Sequence, residues 1–210
     1  EEKLETRFLQ AENNIDDEAL KKILTHPNAV IGLGDGGAHV QFHGGYGYIT
    51  KLLGEWVREK QVMSLETAVR RLTFDSASTF GLYDRGLLRP GMAADIAIFD
   101  PATVKCGKEE VVHDFPANGW RMRELADGIH YTVVNGEVLL EKGEHTGAHP
   151  GRVIKNARAQ SVTRDDDGVV VTMADGRTVE GTHALMTVGS VPNTSGLGLE
   201  KVGIELSSGN

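Results

Sequence analysis

Apolar side chains in the first third of the chain recur at helical spacing. From Tyr46 to about Lys60 they fall at Ile49, Leu52, Leu53, Trp56 and Val57, three or four residues apart, which makes one face of a helix apolar. Upstream, Asp16-Asp17 precedes Glu18-Ala19-Leu20-Lys21-Lys22-Ile23-Leu24. This reads as a short carboxylate-capped helix that His26-Pro27-Asn28 stops. Ser64-Leu65-Glu66-Thr67 opens another helix, with Ala68, Val69 and Leu72 inside it. Asp75 to Phe80 reads as one more helical turn, ended by Gly81. Between the first two helices, Ala29-Val30-Ile31-Gly32-Leu33 is an unbroken apolar run, expected to be a buried strand.

The period shortens from helical to two after residue 81. Arg89-Pro90-Gly91 is a turn, and Ala94-Asp95-Ile96-Ala97-Ile98-Phe99-Asp100 alternates as a strand does. Tyr131–Val134 and Glu137–Leu140 flank Asn135-Gly136, the dipeptide that suits a type I′ hairpin turn. A small β unit is therefore expected over residues 82–145. Beyond His149-Pro150-Gly151 the pattern changes again. Gln160–Arg164, Val169–Met173 and Arg177–Glu180 read as three strands joined by Asp165–Gly168 and Ala174–Gly176, with a fourth apolar strand at Ala184–Val188. No repeat of solenoid length occurs.

Composition narrows the function classes. The 210 residues are 40% hydrophobic and 25% charged, and the net charge is −8. The basic residues are scattered, so the clustered basic face of a nucleic-acid binder is missing. The acidity speaks against anionic membrane surfaces, and no apolar run is long enough to span a bilayer. The single cysteine, Cys106, excludes an internal disulfide framework and any CxxC pair. It reads as a surface thiol in a Lys- and Gly-rich turn, and a cytoplasmic setting fits. The acidic start, Glu1-Glu2-Lys3-Leu4-Glu5, has neither a signal-peptide pattern nor an initiator Met, so the chain is expected to be part of a longer gene.

Candidate chemistry concentrates in Gly32-Leu33-Gly34-Asp35-Gly36-Gly37. The spacing matches the dinucleotide fingerprint G-x-G-x-x-G between a strand and a helix. That fingerprint needs a second parallel strand ending in an acidic residue about 20 residues on. Here Gly54-Glu55-Trp56-Val57-Arg58 is the middle of a helix, which disfavours the nucleotide reading. The other reading centres on Asp35, a carboxylate at the end of a strand with glycines on both sides. It can ligate a divalent metal and take a proton from metal-bound water, and the glycines admit close approach. His39 and His43, four apart, could form a metal pair on a helix, but the stretch between them has little helical pattern, and His43 reads as a surface residue. His26, His113, His130, His145, His149 and His183 have no ligand spacing.

Two resemblances organise these signals. Gly32-Leu33-Gly34-Asp35-Gly36-Gly37-Ala38-His39 resembles the last metal-binding strand of the amidohydrolases, nearest the N-acyl-D-amino-acid deacylases (D-aminoacylases). Ser64–Thr73 with Ala77, the run Gly81–Asp100, Val133-Val134-Asn135-Gly136 and Thr146–Arg152 carry the likeness over about residues 10–153. It implies a TIM-barrel hydrolase with zinc that cleaves the amide of N-acyl-D-amino acids. In it Asp35 would be both metal ligand and catalytic proton shuttle, and His39 would lie at the substrate. Asp95 would be structural, in the passage to the β unit. The family's other metal ligands belong to earlier strands that this chain does not contain.

Residues 156–206 instead resemble flavin-dependent pyridine-nucleotide disulfide oxidoreductases of the dihydrolipoamide dehydrogenase and NAD(P)H quinone reductase type. The residues are Ala174-Asp175-Gly176-Arg177, Val188–Thr194 and Leu197–Ile204. The phosphate loop, flavin-binding aspartate and redox cysteines lie outside this stretch, so FAD and NAD(P) belong to the parent of the tail and are not expected to bind here. Such proteins usually carry an Arg where this chain has Ser190-Val191.

The fold class expected is α/β plus β. Residues 1–80 give the last strand and helices of a TIM barrel, 81–153 a small β-sandwich unit, and 154–210 a β-meander fragment of a Rossmann-like NAD domain. The chain is expected to be a hydrolase fragment, inactive alone; a flavoprotein oxidoreductase fragment and a non-catalytic remnant stay open. The join near 151–156 is compatible with a chimeric gene, a rearranged sequence or joined fragments. The partner expected is a small-molecule N-acyl-D-amino acid, with no nucleic acid and no membrane. With the rest of a barrel missing, the apolar face of the Tyr46–Lys60 helix is expected to lie uncovered, with loose packing and self-association over residues 1–80.

Overall fold

The computed structural model describes residues 15–34, 36, 40–41, 45–166, 168–187 and 198–203. Two compact units divide the chain, Glu1–Arg152 and Val153–Asn210. In the first, α1 (Asp17–Thr25) starts where Asp16 accepts from the backbone N–H groups of Glu18 and Ala19. Helix α2 (Tyr48–Lys51) runs directly into a π-helix, Leu52–Glu59. Then α3 (Leu65–Leu72), capped by the Ser64 hydroxyl on Thr67 N–H, leads into α4 (Phe74–Thr79).

The apolar face of the α2/π-helix segment is covered. Leu52, Leu53, Trp56 and Val57 are buried together with Ala68 of α3 and Val104 of a later loop, and Leu20, Leu24, Val62, Met63, Val69, Phe99 and Ile129 pack around them. The expected uncovered face is thus corrected: helices before and after it, and a loop about fifty residues on, supply what a barrel would have. In α2, just before the π-helix, Thr50 is buried while Ile49 is 42% exposed. Lys60 closes the segment. Its ammonium bonds Asp17 of α1 at 2.8 Å and Glu55 at 2.7 Å, and lies 4.1 Å from the centre of the Trp56 ring.

Ala29–Leu33 forms no strand, which corrects the sequence expectation. A parallel barrel strand takes its hydrogen bonds from neighbouring strands, and no described segment pairs with it. Side chains take its carbonyls instead, and Val30 and Leu33 stand exposed.

The β part holds β1 (Ile96–Phe99), β2 (Lys105–Cys106), β3 (Glu110–Phe115), β4 (Gly119–Arg123), β5 (Ala126–Asp127), β6 (Ile129–Val134), β7 (Glu137–Glu141) and β8 (Glu144–His145). One antiparallel sheet has the order β1-β6-β7-β8, and β2-β5 and β3-β4 are two-stranded ribbons. The Asn135-Gly136 hairpin forms as the dipeptide dictates, with φ of 50° and 81°. Asp95 locks it to the preceding turn, since one carboxylate oxygen accepts from Asn135 N–H at 2.8 Å and the other from Arg85 at 2.7 Å. Hydrogen bonding to Asp84, with Asp95 adding, holds the Arg85 guanidinium above its ordinary pKa.

The second unit contains β9 (Ala159–Arg164), β10 (Val169–Met173) and β11 (Thr178–Gly181), an antiparallel meander of order β11-β10-β9 with Met173 buried. Residues 184–187 form no strand, contrary to the sequence expectation, and Leu185 is 88% exposed. No fourth strand is present for it to pair with among the described residues.

Candidate functional site

Asp35 and His39, the residues expected to carry the chemistry, lie outside the described residues, as does His43. The structure describes what holds the segment on either side of them. Upstream, the Arg71 guanidinium of α3 donates to the carbonyls of His26 at 3.0 Å and Ala29 at 2.8 Å. Its Nε is buried without a hydrogen-bond partner among the described residues. The Ser76 hydroxyl of α4 lies 2.8 Å from Ile31 O, and the Tyr48 hydroxyl of α2 donates to Gly32 O at 3.3 Å. Gly34 is required by contact: a Cβ there would stand 2.6 Å from Gly45 O and 3.0 Å from the Tyr48 ring.

Downstream, the hairpin β3–β4 supplies the hold. Met122 N–H donates to Val40 O at 2.8 Å, and the Gln41 amide donates to Trp120 O at 3.4 Å. Glu124 accepts from Gly47 N–H at 2.8 Å, just before α2 begins. The described residues before the glycine turn are thus tied to α2, α3 and α4, and Val40, Gln41 and Gly47 after it to β4 and Glu124. Those downstream partners lie about eighty residues away in sequence, and no local motif announces them.

The electrostatics around this frame come from ion pairs on the hairpin. Arg121 bonds Asp114 through Nε and Nη2 at 2.9 and 2.8 Å, and Arg123 bonds Glu110. Hydrogen bonding to Arg121 holds the Asp114 carboxyl below its ordinary range, and the same bond, with Tyr46 adding, raises the guanidinium. Cys106 is not the turn thiol expected from its surroundings in sequence. It lies half-buried on β2 with its sulfur against Gly47, and desolvation, then the Glu124 carboxylate, push its pKa up, which leaves it a poor nucleophile.

His145 and His149, which sequence spacing did not single out, have ring centres 5.4 Å apart. Nδ1 of His145 accepts from Gly147 N–H at 2.9 Å. Among the described residues no group of three or more His, Cys, Asp or Glu side chains converges as a metal site. A catalytic zinc takes three protein ligands, so the donors of the described residues do not by themselves make a complete centre. Among the described residues no helix is long and apolar enough to cross a membrane.

Comparison with known proteins defines the class. Residues 4–140 match the Amidohydrolase family, and the chain belongs to that family. N-acyl-D-aspartate deacylase of Alcaligenes xylosoxydans xylosoxydans is 35% identical over 145 residues, 67% of this chain and 26% of the relative. The solved N-acyl-D-glutamate deacylase of Bordetella bronchiseptica, complexed with zinc and a phosphonate inhibitor, is 35% identical over 45% of this chain and 18% of its own, with a TM-score of 0.33. The oxidoreductase resemblance is also matched. NAD(P)H dehydrogenase (quinone) of Mycobacterium tuberculosis is 76% identical over 82 residues, 39% of this chain and 16% of that protein. The chain thus spans about a quarter or less of the length of these relatives.

Proposed function

We propose that residues 1–153 are the C-terminal part of a metal-dependent hydrolase that cleaves the amide bond of N-acyl-D-amino acids, with residues 1–80 from its barrel and 81–153 from its small β unit. Residues 154–210 are a piece of the NAD domain of a flavoprotein. The observation that carries the reading is the 35% identity to a deacylase over two thirds of the chain. The fixing of the glycine-rich segment on both sides supports it, because a catalytic side chain must be held in place to work. In the complete hydrolase, Asp35 would be a ligand of the zinc and a proton acceptor beside it, and His39 would lie at the substrate. A cytoplasmic setting goes with this reading.

A second reading, an NAD(P)H-dependent flavoprotein fragment, is favoured by one observation, the 76% identity to a quinone dehydrogenase. It accounts for 82 residues, 39% of the chain, and leaves most of the stretch matched by the Amidohydrolase family unexplained.

Alone, the chain is proposed to be inactive, because one carboxylate does not hold a catalytic zinc. The test is hydrolysis of N-acetyl-D-amino acids after metal loading, with the chain alone and with residues 10–153 in a full-length hydrolase. In the full-length protein, Asp35→Asn should cost roughly 10²–10⁴ in rate, the usual loss of a general base, while the protein still folds. Full activity of a folded Asn variant would end the assignment of Asp35. Turnover by the chain alone, above its own Asn variant, would end the claim of inactivity.

A further inference from the structure

The sequence contains two Asn-Gly pairs, and both stand in tight turns of the first unit. Asn118-Gly119 joins β3 to β4, and Asn135-Gly136 joins β6 to β7. An Asn-Gly pair can modify itself. The glycine nitrogen attacks the side-chain Cγ of the asparagine, and glycine has no Cβ to obstruct the approach. The N–Cγ bond forms, the Cγ–Nδ2 bond breaks, and the proton displaced from the glycine nitrogen leaves with the amide as ammonia. Water then opens the resulting cyclic imide at one of its two carbonyls and gives aspartate or isoaspartate. The motif is the same at both turns, but its surroundings differ.

At Asn135-Gly136 both backbone N–H groups are held by a separate part of the chain. Asn135 N–H donates to the Asp95 carboxylate at 2.8 Å, and Asp95 is itself fixed by Arg85 at 2.7 Å. Gly136 N–H, the group that must be freed to attack, donates to Ala94 O at 3.0 Å. At Asn118-Gly119 the hold is local, since Gly119 N–H bonds Pro116 O within the turn itself. The ladder slips between Val112–Arg121 and Phe115–Gly119. Ala117 and Asn118 are exposed at the hairpin tip with φ of 57° and 60°, a conformation unfavourable for a residue with a Cβ. Nδ1 of His113 lies 3.1 Å from Asn118 O. A carbonyl can only accept, so Nδ1 carries the proton and donates. When the Asn118–Gly119 peptide gives up its proton, the negative charge falls largely on that oxygen, and a donor there stabilises it.

We propose that Asn118 is a site of spontaneous deamidation promoted by His113, and that Asn135 is protected by its bonds to Ala94 and Asp95. Isoaspartate at position 118 inserts an extra methylene into the backbone of the turn Pro116–Gly119. The paired positions of β3 and β4 then no longer match, which weakens the bond that Met122 N–H gives to Val40 O.

The test uses the full chain and needs no metal, substrate or partner. The folded protein is incubated at neutral pH, and the peptides containing Asn118 and Asn135 are followed by mass spectrometry. Digestion in heavy-oxygen water separates conversion in the protein from conversion during handling. Asn118 should convert at least about tenfold faster than Asn135, the factor that one charge-assisted hydrogen bond represents, with isoaspartate among the products. In urea, where neither turn exists, the two rates should converge. Asp95→Ala should speed Asn135 and leave Asn118 unchanged. His113→Phe should slow Asn118 roughly two- to tenfold, the range of a single neutral hydrogen bond. The Met122 amide should exchange with deuterium faster in the converted chain than in the unconverted one. Equal rates in the folded chain, a ratio that persists in urea, or no conversion at Asn118 would each overturn the assignment. The comparison of folded chain with urea needs no variant, so it decides even if Asp95→Ala fails to fold. An unchanged rate in the His113 variant would overturn the role of His113, and unchanged Met122 exchange would overturn the effect on β4.

Discussion

At the scale of single residues, a few polar groups decide where apolar ones end up. Val104, wholly buried, reaches the core from a turn that Asp100 organises. The Asp100 carboxylate accepts from Ala102 N–H at 2.8 Å and from the Thr103 hydroxyl at 3.0 Å, and the Asp100 carbonyl accepts from Val104 N–H at 2.9 Å. The backbone bond from Ala102 is the leading cause that holds the Asp100 pKa below the ordinary carboxylate value, with Thr103 next. A carboxyl with a lowered folded-state pKa binds fewer protons folded than unfolded, so stability rises with pH across that interval. Its contribution is complete above the ordinary carboxylate pKa and is lost as pH falls through the lower folded value. Asp100→Asn should therefore flatten part of the acid limb of a stability-against-pH curve measured by urea denaturation. An acid limb identical to that of wild type would show that the turn does not depend on this charge.

Among the elements, the π-helix is the unusual one. Its i→i+5 bonds, such as Lys60 N–H to Glu55 O at 2.8 Å, widen the helix, and such helices are rare beyond a single turn. Gly54 sits within it. A Cβ at Gly54 would stand 2.7 Å from Val104 O and 3.2 Å from Lys105 Cα, both backbone, and Arg58 of the same helix donates to Val104 O. The segment thus packs its backbone directly on the loop that carries Val104. Replacing glycine by alanine inside an exposed helix normally stabilises by up to about 1 kcal/mol. Here Gly54→Ala should destabilise by about 1–3 kcal/mol, as overpacking does, read from the denaturation midpoint at unchanged slope. A stabilised variant would mean that the helix does not approach the loop this closely.

For the whole molecule, the core is built inside the first unit. Every buried residue of the main cluster lies between Leu52 and Val104, and the buried Met173 belongs to the second unit. Both tryptophans, Trp56 and Trp120, fall in the first unit, so their fluorescence reports that unit alone. Removing residues 153–210 should leave the fluorescence-detected denaturation midpoint unchanged within experimental error, while the far-ultraviolet circular dichroism loses its strand contribution from β9–β11. A large shift of the midpoint would show that the first unit draws its stability from the tail. Apolar groups such as Val30, Leu33 and Leu185 stay exposed, and self-association through them remains a proposal, checked by the concentration dependence of the sedimentation coefficient.

Local signals in the sequence sufficed where the physics is local. Asp16 and Ser64 mark helix starts because a side-chain oxygen can satisfy the first free N–H groups. Asn135-Gly136 marks a hairpin because both residues accept positive φ. The alternating run at residues 96–99 forms a strand because a period of two fits a pleated ribbon, and the β-branched runs at 160–164 and 169–173 form strands as their turns predict. The glycine turn around Asp35 could be read as a site, and Gly34 does meet its neighbour's backbone too closely for any side chain. Whatever depends on distant partners was settled only by the tertiary structure. Ala29–Leu33 is apolar enough for a strand and is not one, because a strand needs a second strand and the described residues offer side chains instead. Val104 has no periodic signal and fills the core because the loop after β1 folds back over the helices. Tertiary folding alone sets β4 beside Val40, about eighty residues away along the chain.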